Sequence, residues 1–252
     1  MKRRPEPTAA AAVDARRLIV ALDVATVEAA SALVSSLKGT VTNFKVGWEL
    51  FCAAGPAAVA AVVEAGGRVF LDLKFHDIPN TVAAAVVAAT GHGAFMLNVH
   101  ASGGRRMMEA AVDAARAASE AHGRARPLVV AVTLLTSLDE DELRRDLGIA
   151  EPPLAVVTRL ARLAQAAGCD GVVVSAREAA AVRAACGAGF TIVCPGIRSA
   201  GAAAADQRRT ATPGEAIAAG ADYIVVGRPV TQAPDPRAAA RGIIEQMGVR
   251  PT

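Results

Sequence analysis

"RVFLDLKFHDIPNTV", residues 68–82, opens with the apolar run of a buried strand and then sets Asp72, Lys74, His76 and Asp77 within six positions. Strand side chains alternate between faces, so Asp72 and Lys74 share one face while Leu71 and Leu73 point to the other. A sheet covered by helices tolerates that much charge at one place, the carboxyl ends of its strands, where α/β folds build their sites.

Seven other short apolar runs accompany this one: "LIVALDV" (18–24), "NFKVG" (43–47), "FMLNVHA" (95–101), "PLVVAVTLL" (127–135), "GVVVS" (171–175), "FTIVCPGI" (190–197) and "YIVVGRPV" (223–230). Between the eight runs lie alanine-rich stretches of helical period, over 27–37, 55–65, 80–91, 104–121, 153–167, 177–185, 213–219 and 235–247. Eight strand–helix units in 252 residues predict a single-domain α/β (β/α)₈ barrel of the TIM type, with a doubly wound open sheet as the alternative. Glycines at 66–67, 168 and 220 stand where helices should stop. "SLDE" (137–140) has the form of a capping box, Ser137 with Glu140, and predicts an extra short helix after the fifth strand.

Composition narrows the function. The first 15 residues carry basic groups but no apolar h-region, which predicts a flexible leader ahead of a barrel domain over 16–252. No apolar run approaches the roughly 18 residues of a membrane span. Cys52, Cys169, Cys186 and Cys194 form no C-x-x-C pair and no zinc-type spacing, as expected of reduced, packed thiols in a cytoplasmic protein. A net charge of +3, with one Trp, one Tyr and six Phe, offers little for a nucleic acid to stack on. Of 27 basic residues only Lys2, Lys38, Lys45 and Lys74 are lysine, and the last two fall in strands. Arginine stays protonated almost everywhere, whereas lysine can give up its proton, so these two mark positions that need a compact, transferable charge.

The barrel reading requires polar residues at strand ends. They are there: Asp23, Lys45, Asp72 and Lys74, Asn98 and His100, Thr133 and Thr136, Ser175, Arg198 and Arg228 follow the eight strands in turn. Lys45 on the neighbouring strand can approach Asp72 and Lys74, and with Asp77 they make two ammonium and two carboxylate groups. A buried salt-bridge network would use the same residues, at a large desolvation cost. A Schiff-base lysine must be available as the neutral amine, but carboxylates on both sides favour the ammonium. Mg²⁺ could use Asp72 and Asp77, but two ammonium groups would repel it. What remains is a protonated lysine that stabilises carbanionic charge and then delivers a proton. "CPGIRS" (194–199) and "VGRPV" (226–230) suit an anion, with Gly196 and Gly227 permitting close approach and Arg198 and Arg228 supplying charged donors. His76, His100, Met107 and Met108 read as packing residues.

Taken together, "VALD" (20–23), "FKVG" (44–47), "LDLKFHDIPNTV" (71–82), "NVHASGG" (98–104), "VTLLTS" (132–137), "CPGIR" (194–198), "DQRRTATP" (206–213) and "DYIVVGRPV" (222–230) resemble the orotidine 5′-phosphate decarboxylases. The resemblance implies a (β/α)₈ homodimer with shared sites that converts orotidine 5′-monophosphate to uridine 5′-monophosphate and CO₂, the last step of de novo UMP synthesis. It implies no metal and no organic cofactor. By motif, Lys74 would be the proton donor to C6 and Asp72 would lie beside the scissile carboxylate. Asp23 and Lys45 would hold ribose hydroxyls, with Lys45 joining the charge array, and Asp77 and Thr81 would enter the partner's site. Thr136 would contact the pyrimidine, and Arg198, Gln207, Gly227 and Arg228 the phosphate region. An alanine-rich stretch before Gln207 departs from the pattern. Within the wider suprafamily, Mg²⁺-dependent sugar-phosphate decarboxylases and synthases carry a similar Asp-x-Lys-x-x-Asp strand, against which "HDIPNT" and the Gln207 segment argue. A non-catalytic nucleotide-phosphate-binding barrel is the third reading.

Overall fold

A computed structural model describes residues 15–198 and 210–248. Gln207, most of the leader and most of the 198–213 segment lie outside them. Eight parallel strands, β1 (Leu18–Ala21), β2 (Asn43–Val46), β3 (Arg68–Phe75), β4 (Met96–His100), β5 (Leu128–Val132), β6 (Gly171–Val173), β7 (Thr191–Cys194) and β8 (Tyr223–Val226), close into a barrel in chain order. The open-sheet alternative is excluded by the pairing of β1 with β8.

The strands are shorter than their apolar runs because those runs continue past the last ladder bond into the mouth. The helical layer comprises α1 (Val27–Leu37), α2 (Trp48–Ala54), α3 (Ala57–Glu64), α4 (Pro79–Gly91), α5 (Arg105–His122), α6 (Glu140–Leu147), α7 (Pro153–Ala166), α8 (Ala176–Cys186), α9 (Pro213–Ala218), α10 (Arg228–Thr231) and α11 (Pro236–Gly248). Two of them were not legible as helices. The Gly55–Pro56 break cuts α2 from α3, and α10 is a single turn begun at Arg228.

The short helix after β5 exists, but its cap differs from the expected one. A turn closed by the Leu138 N–H on the Leu135 carbonyl takes up residues 135–138. The helix therefore starts two residues later, with Asp139 and Glu142 forming the capping box in place of Ser137 and Glu140. Gly66, Gly168 and Gly220 have φ of 88°, 81° and 100°, the left-handed turns that end helices.

Two apolar cores follow from strand alternation. Leu18, Val20, Leu71 and Leu97 face outward into the helix layer. Ile19, Ala21, Phe70, Met96, Val130, Val193 and Val225 fill the barrel interior and form the floor on which the mouth rests. Of the cysteines, Cys169, Cys186 and Cys194 are buried and Cys52 is exposed. Burial pushes the thiols of Cys169 and Cys194 up to about 12, which leaves them inert. Among the described residues no helix is long and apolar enough to cross a membrane.

Candidate active site

Above the apolar floor the interior-facing positions turn charged. Ala21, Lys45 and Phe70 pair across β1, β2 and β3, so Lys45 rises from the floor. Its ammonium lies 3.0 Å from Asp23 Oδ1 and 3.3 Å from Asp72 Oδ2, while Lys74 Nζ lies 2.7 Å from Asp72 Oδ1. The result is a row of alternating charge, Asp23, Lys45, Asp72, Lys74. Burial alone would discourage both central charges, and each is rescued by its neighbours. Burial pulls the Lys45 ammonium down, but Asp72 and then Asp23 outweigh it and hold its pKa above the lysine value. For Asp72 burial pushes upward, and Lys45, then Lys74, then hydrogen bonds from Lys74 and Asn98 bring it below the usual carboxylate range.

Asp77, which spacing had made the second acid of the array, is exposed and accepts the Ile78 N–H at 2.6 Å. Asp23 takes its place because β1 adjoins β2 and its outgoing chain passes the Lys45 ammonium. Thr81 is likewise exposed, on the first turn of α4. Neither residue lines the cavity of its own chain. Ile78 between them is 66% exposed.

The cavity over the array measures about 630 Å³. Asp23, Lys45, Asp72 and Lys74 bound one side, and Pro195, Gly196, Arg198, Gly227 and Arg228 bound the side beyond β7 and β8. Thr136 lines the wall after β5. β3 and β7 stand four strands apart in a ring of eight, so Lys74 and Arg198 start from opposite sides of the mouth, while Asp23 after β1 adjoins Gly227 after β8. Gly196 has φ 79°, a conformation that favours glycine and turns the chain toward Arg198. A Cβ on Gly47 would come 2.7 Å from Lys45 Nζ, so the glycine of "FKVG" clears room for the ammonium.

Other strand-end residues serve the scaffold. The Thr133 hydroxyl donates to the Val173 carbonyl at 3.2 Å, and Ser175 caps α8. His76 and His100 meet at 5.3 Å between ring centroids with their planes tilted by 35°, and line an adjoining, mostly apolar cavity of about 470 Å³. Burial, then His76 and Lys74, lower the His100 pKa. Three residues were missed as site residues. Glu49 and Gln232 line the charged cavity from α2 and just past α10, helices that had not been read. Asn98 reads in the sequence only as a strand end, although a polar residue at an interior position of β4 is a signal that points to it.

Comparison with known proteins agrees with this geometry. Residues 16–243 match the family described as "Orotidine 5'-phosphate decarboxylase / HUMPS family". Orotidine 5'-phosphate decarboxylase of Moorella thermoacetica is 54% identical over 231 residues, covering 92% of each chain. That of Chromohalobacter salexigens is 53% identical over 230 residues, covering 91% of this chain and 95% of its own. The crystal structure of orotidine 5'-phosphate decarboxylase from Lactobacillus acidophilus superposes with a TM-score of 0.82 at 38% identity, over 93% of this chain and 100% of that one. With a closed eight-stranded barrel, a mouth that joins an acid–lysine row to an arginine side, and these matches along nearly its whole length, the chain belongs to the orotidine 5′-phosphate decarboxylase / HUMPS family.

Proposed function

We propose that the chain decarboxylates orotidine 5′-monophosphate to uridine 5′-monophosphate without a metal or an organic cofactor. The observation that carries this reading is the row of Asp23, Lys45, Asp72 and Lys74 in one cavity with Arg198 and Arg228. The arginines suit a phosphate, and the lysine-bearing side suits a carbon that must briefly hold an electron pair. Breaking the C6–CO₂ bond leaves both electrons on C6. The Lys74 ammonium stabilises that charge as it develops and then transfers one proton to C6, after which solvent reprotonates the amine. Asp72 lies beside the departing carboxylate and keeps Lys74 aimed. Lys45 and Asp23 hold the ribose hydroxyls, Thr136 contacts the pyrimidine, and Arg198, Gln207, Gly227 and Arg228 take the phosphate region. Binding energy gathered at the phosphate is spent on the chemical step.

The donors around Asp72 support a reaction without a metal. Its Oδ1 receives Lys74 and Asn98, and its Oδ2 faces Lys45, so three cationic or N–H groups occupy the oxygens a cation would need. Asp77 and Thr81 act in the site of a second copy, in a homodimer. This is supported by their exposure and by Ile78 at 66% and Trp48 at 54%, large apolar groups left uncovered at the mouth. Purified protein is mixed with orotidine 5′-monophosphate with and without EDTA, and the loss of orotate absorbance is followed. Equal turnover in both supports the proposal. EDTA-sensitive action on sugar phosphates, or nucleotide binding without turnover, refutes it.

A further inference from the structure

β3 does not run evenly past β4. Phe70 pairs with Met96 and Leu71 with Leu97, but the next pair is Phe75 with Val99. Residues 72–74 therefore stand against Asn98 alone, two more than a regular ladder accommodates. Such a bulge re-aims side chains and leaves a backbone N–H without its strand partner. Within it Lys74 has φ +48°, the one positive value at a non-glycine residue among the described residues. A lysine keeps that conformation only where its surroundings hold it.

Asn98 supplies the hold. It is buried, with 1% of its surface exposed. Its Oδ1 accepts the Lys74 backbone N–H at 2.8 Å, which replaces the missing ladder bond. Its Nδ2 donates to Asp72 Oδ1 at 2.7 Å, the same oxygen that receives Lys74 Nζ at 2.7 Å. A single planar amide thus grips the backbone of the proton-donating residue and the carboxylate beside it.

We propose that Asn98 is the positioning residue that fixes the Lys74 ammonium relative to the Asp72 carboxylate, by holding the β3 bulge in its left-handed turn. Without the amide oxygen, a buried N–H has no partner and the turn at Lys74 relaxes, carrying Nζ away from the reacting carbon. Without the amide nitrogen, Asp72 Oδ1 is left to Lys74 alone and the carboxylate can rotate toward it. The kinetic consequence rests on the decarboxylase reading, whereas the consequence for the backbone does not.

Asn98→Ala and Asn98→Asp are assayed beside the unaltered protein with orotidine 5′-monophosphate. Misplacement of a reacting group by about an ångström costs on the order of 100-fold, and that loss is expected in kcat for Asn98→Ala, with KM changed by less than about threefold. Asn98→Asp keeps the shape and the acceptor for Lys74, but it can donate to Asp72 only while its new carboxyl is protonated. Its kcat should therefore rise as pH falls, on a limb that the unaltered protein lacks. This near-isosteric variant supplies the readout if Asn98→Ala does not fold. A kcat for Asn98→Ala within about twofold of the unaltered protein, or no new limb for Asn98→Asp, overturns the proposal. So does a crystal structure of Asn98→Ala in which Lys74 keeps φ near +48° and Nζ stays 2.7 Å from Asp72. If the unaltered protein itself shows no turnover, the decarboxylase reading fails, and that crystal structure still decides the role of Asn98.

Discussion

Gly47→Ala should damage activity while sparing the fold. The backbone there has φ −104° and ψ −170°, which any residue adopts, so the added methyl group brings no backbone strain. What it meets is Lys45 Nζ at 2.7 Å. Atoms in van der Waals contact stand about 3.5 Å apart, so the ammonium must retreat by about 0.8 Å. Because Nζ is the free end of a flexible side chain, the retreat is cheap for the protein. The charge row bears the cost. If the contact with Asp72 Oδ2 lengthens from 3.3 Å to about 4 Å, the attraction at an effective dielectric of about 20 falls from about 5 to about 4 kcal/mol. The charged hydrogen bond to Asp23, of a kind worth roughly 1.5–3 kcal/mol, weakens as well, with solvent around the half-exposed carboxylate keeping that share small. A total of about 1–3 kcal/mol corresponds to a loss of roughly 5- to 150-fold in kcat/KM for orotidine 5′-monophosphate. Kinetics by orotate absorbance and thermal unfolding are run on the same preparation. Full activity at unchanged stability, or a loss that follows a collapse in Tm, would refute the reasoning.

Lys74→Ala should abolish turnover while keeping measurable affinity for the product nucleotide, and mixing it with Asp77→Ala protein should restore part of the activity through hybrid dimers. No recovery after verified subunit exchange would refute a shared site. Arg228→Ala should weaken binding of the nucleotide far more than binding of the nucleoside, which calorimetry with both ligands measures; equal losses would place the phosphate elsewhere. The charge row also sets a pH window for stability. Asp72 is held below its ordinary 3.8 in the folded chain, so on acidification the unfolded chain takes up the proton first. Its contribution is complete above about pH 4 and is lost as pH falls through the folded value. Lys45 is held above 10.5, so its contribution is complete below that value and is lost as pH rises beyond it. Denaturant unfolding of Lys45→Met with Asp72→Asn should lose these two limbs relative to the unaltered protein, and superimposable profiles would show that the row contributes nothing to pH-dependent stability.

The barrel was legible because β-branched runs and alanine-rich helical stretches alternate eight times, and patterns of that length leave little freedom. α1 spans the residues that periodicity assigned, Val27–Leu37. Strand ends were less legible, since an apolar residue facing the mouth looks like one in the ladder. Helices of one or two turns, such as Trp48–Ala54 and Arg228–Thr231, are too short to show a period, and Glu49 and Gln232 were hidden with them. Within one chain the array has a different fourth member from the one that spacing suggests. Spacing along a single strand suggested Asp77, whereas the partner of Lys45 comes from the adjacent strand, a neighbour that only the ring order brings near.

Strand alternation led to the right side-chain meeting by an incomplete route. Asp72 and Lys74 do converge, as two residues on one face should, but β3 reaches that geometry through a bulge with a left-handed lysine. A regular strand would have continued the β4 pairing through residues 72–74 and committed their backbone to the ladder. The bulge frees that segment and hands its orientation to Asn98, whose amide meets both partners. Asp72 thus becomes the hub of the row, approached by Lys45, Lys74 and Asn98, and the loss of any one donor leaves the carboxylate paired but turned. Variants at Lys45 or Asn98 should therefore impair the aim of Lys74 before they unfold the barrel.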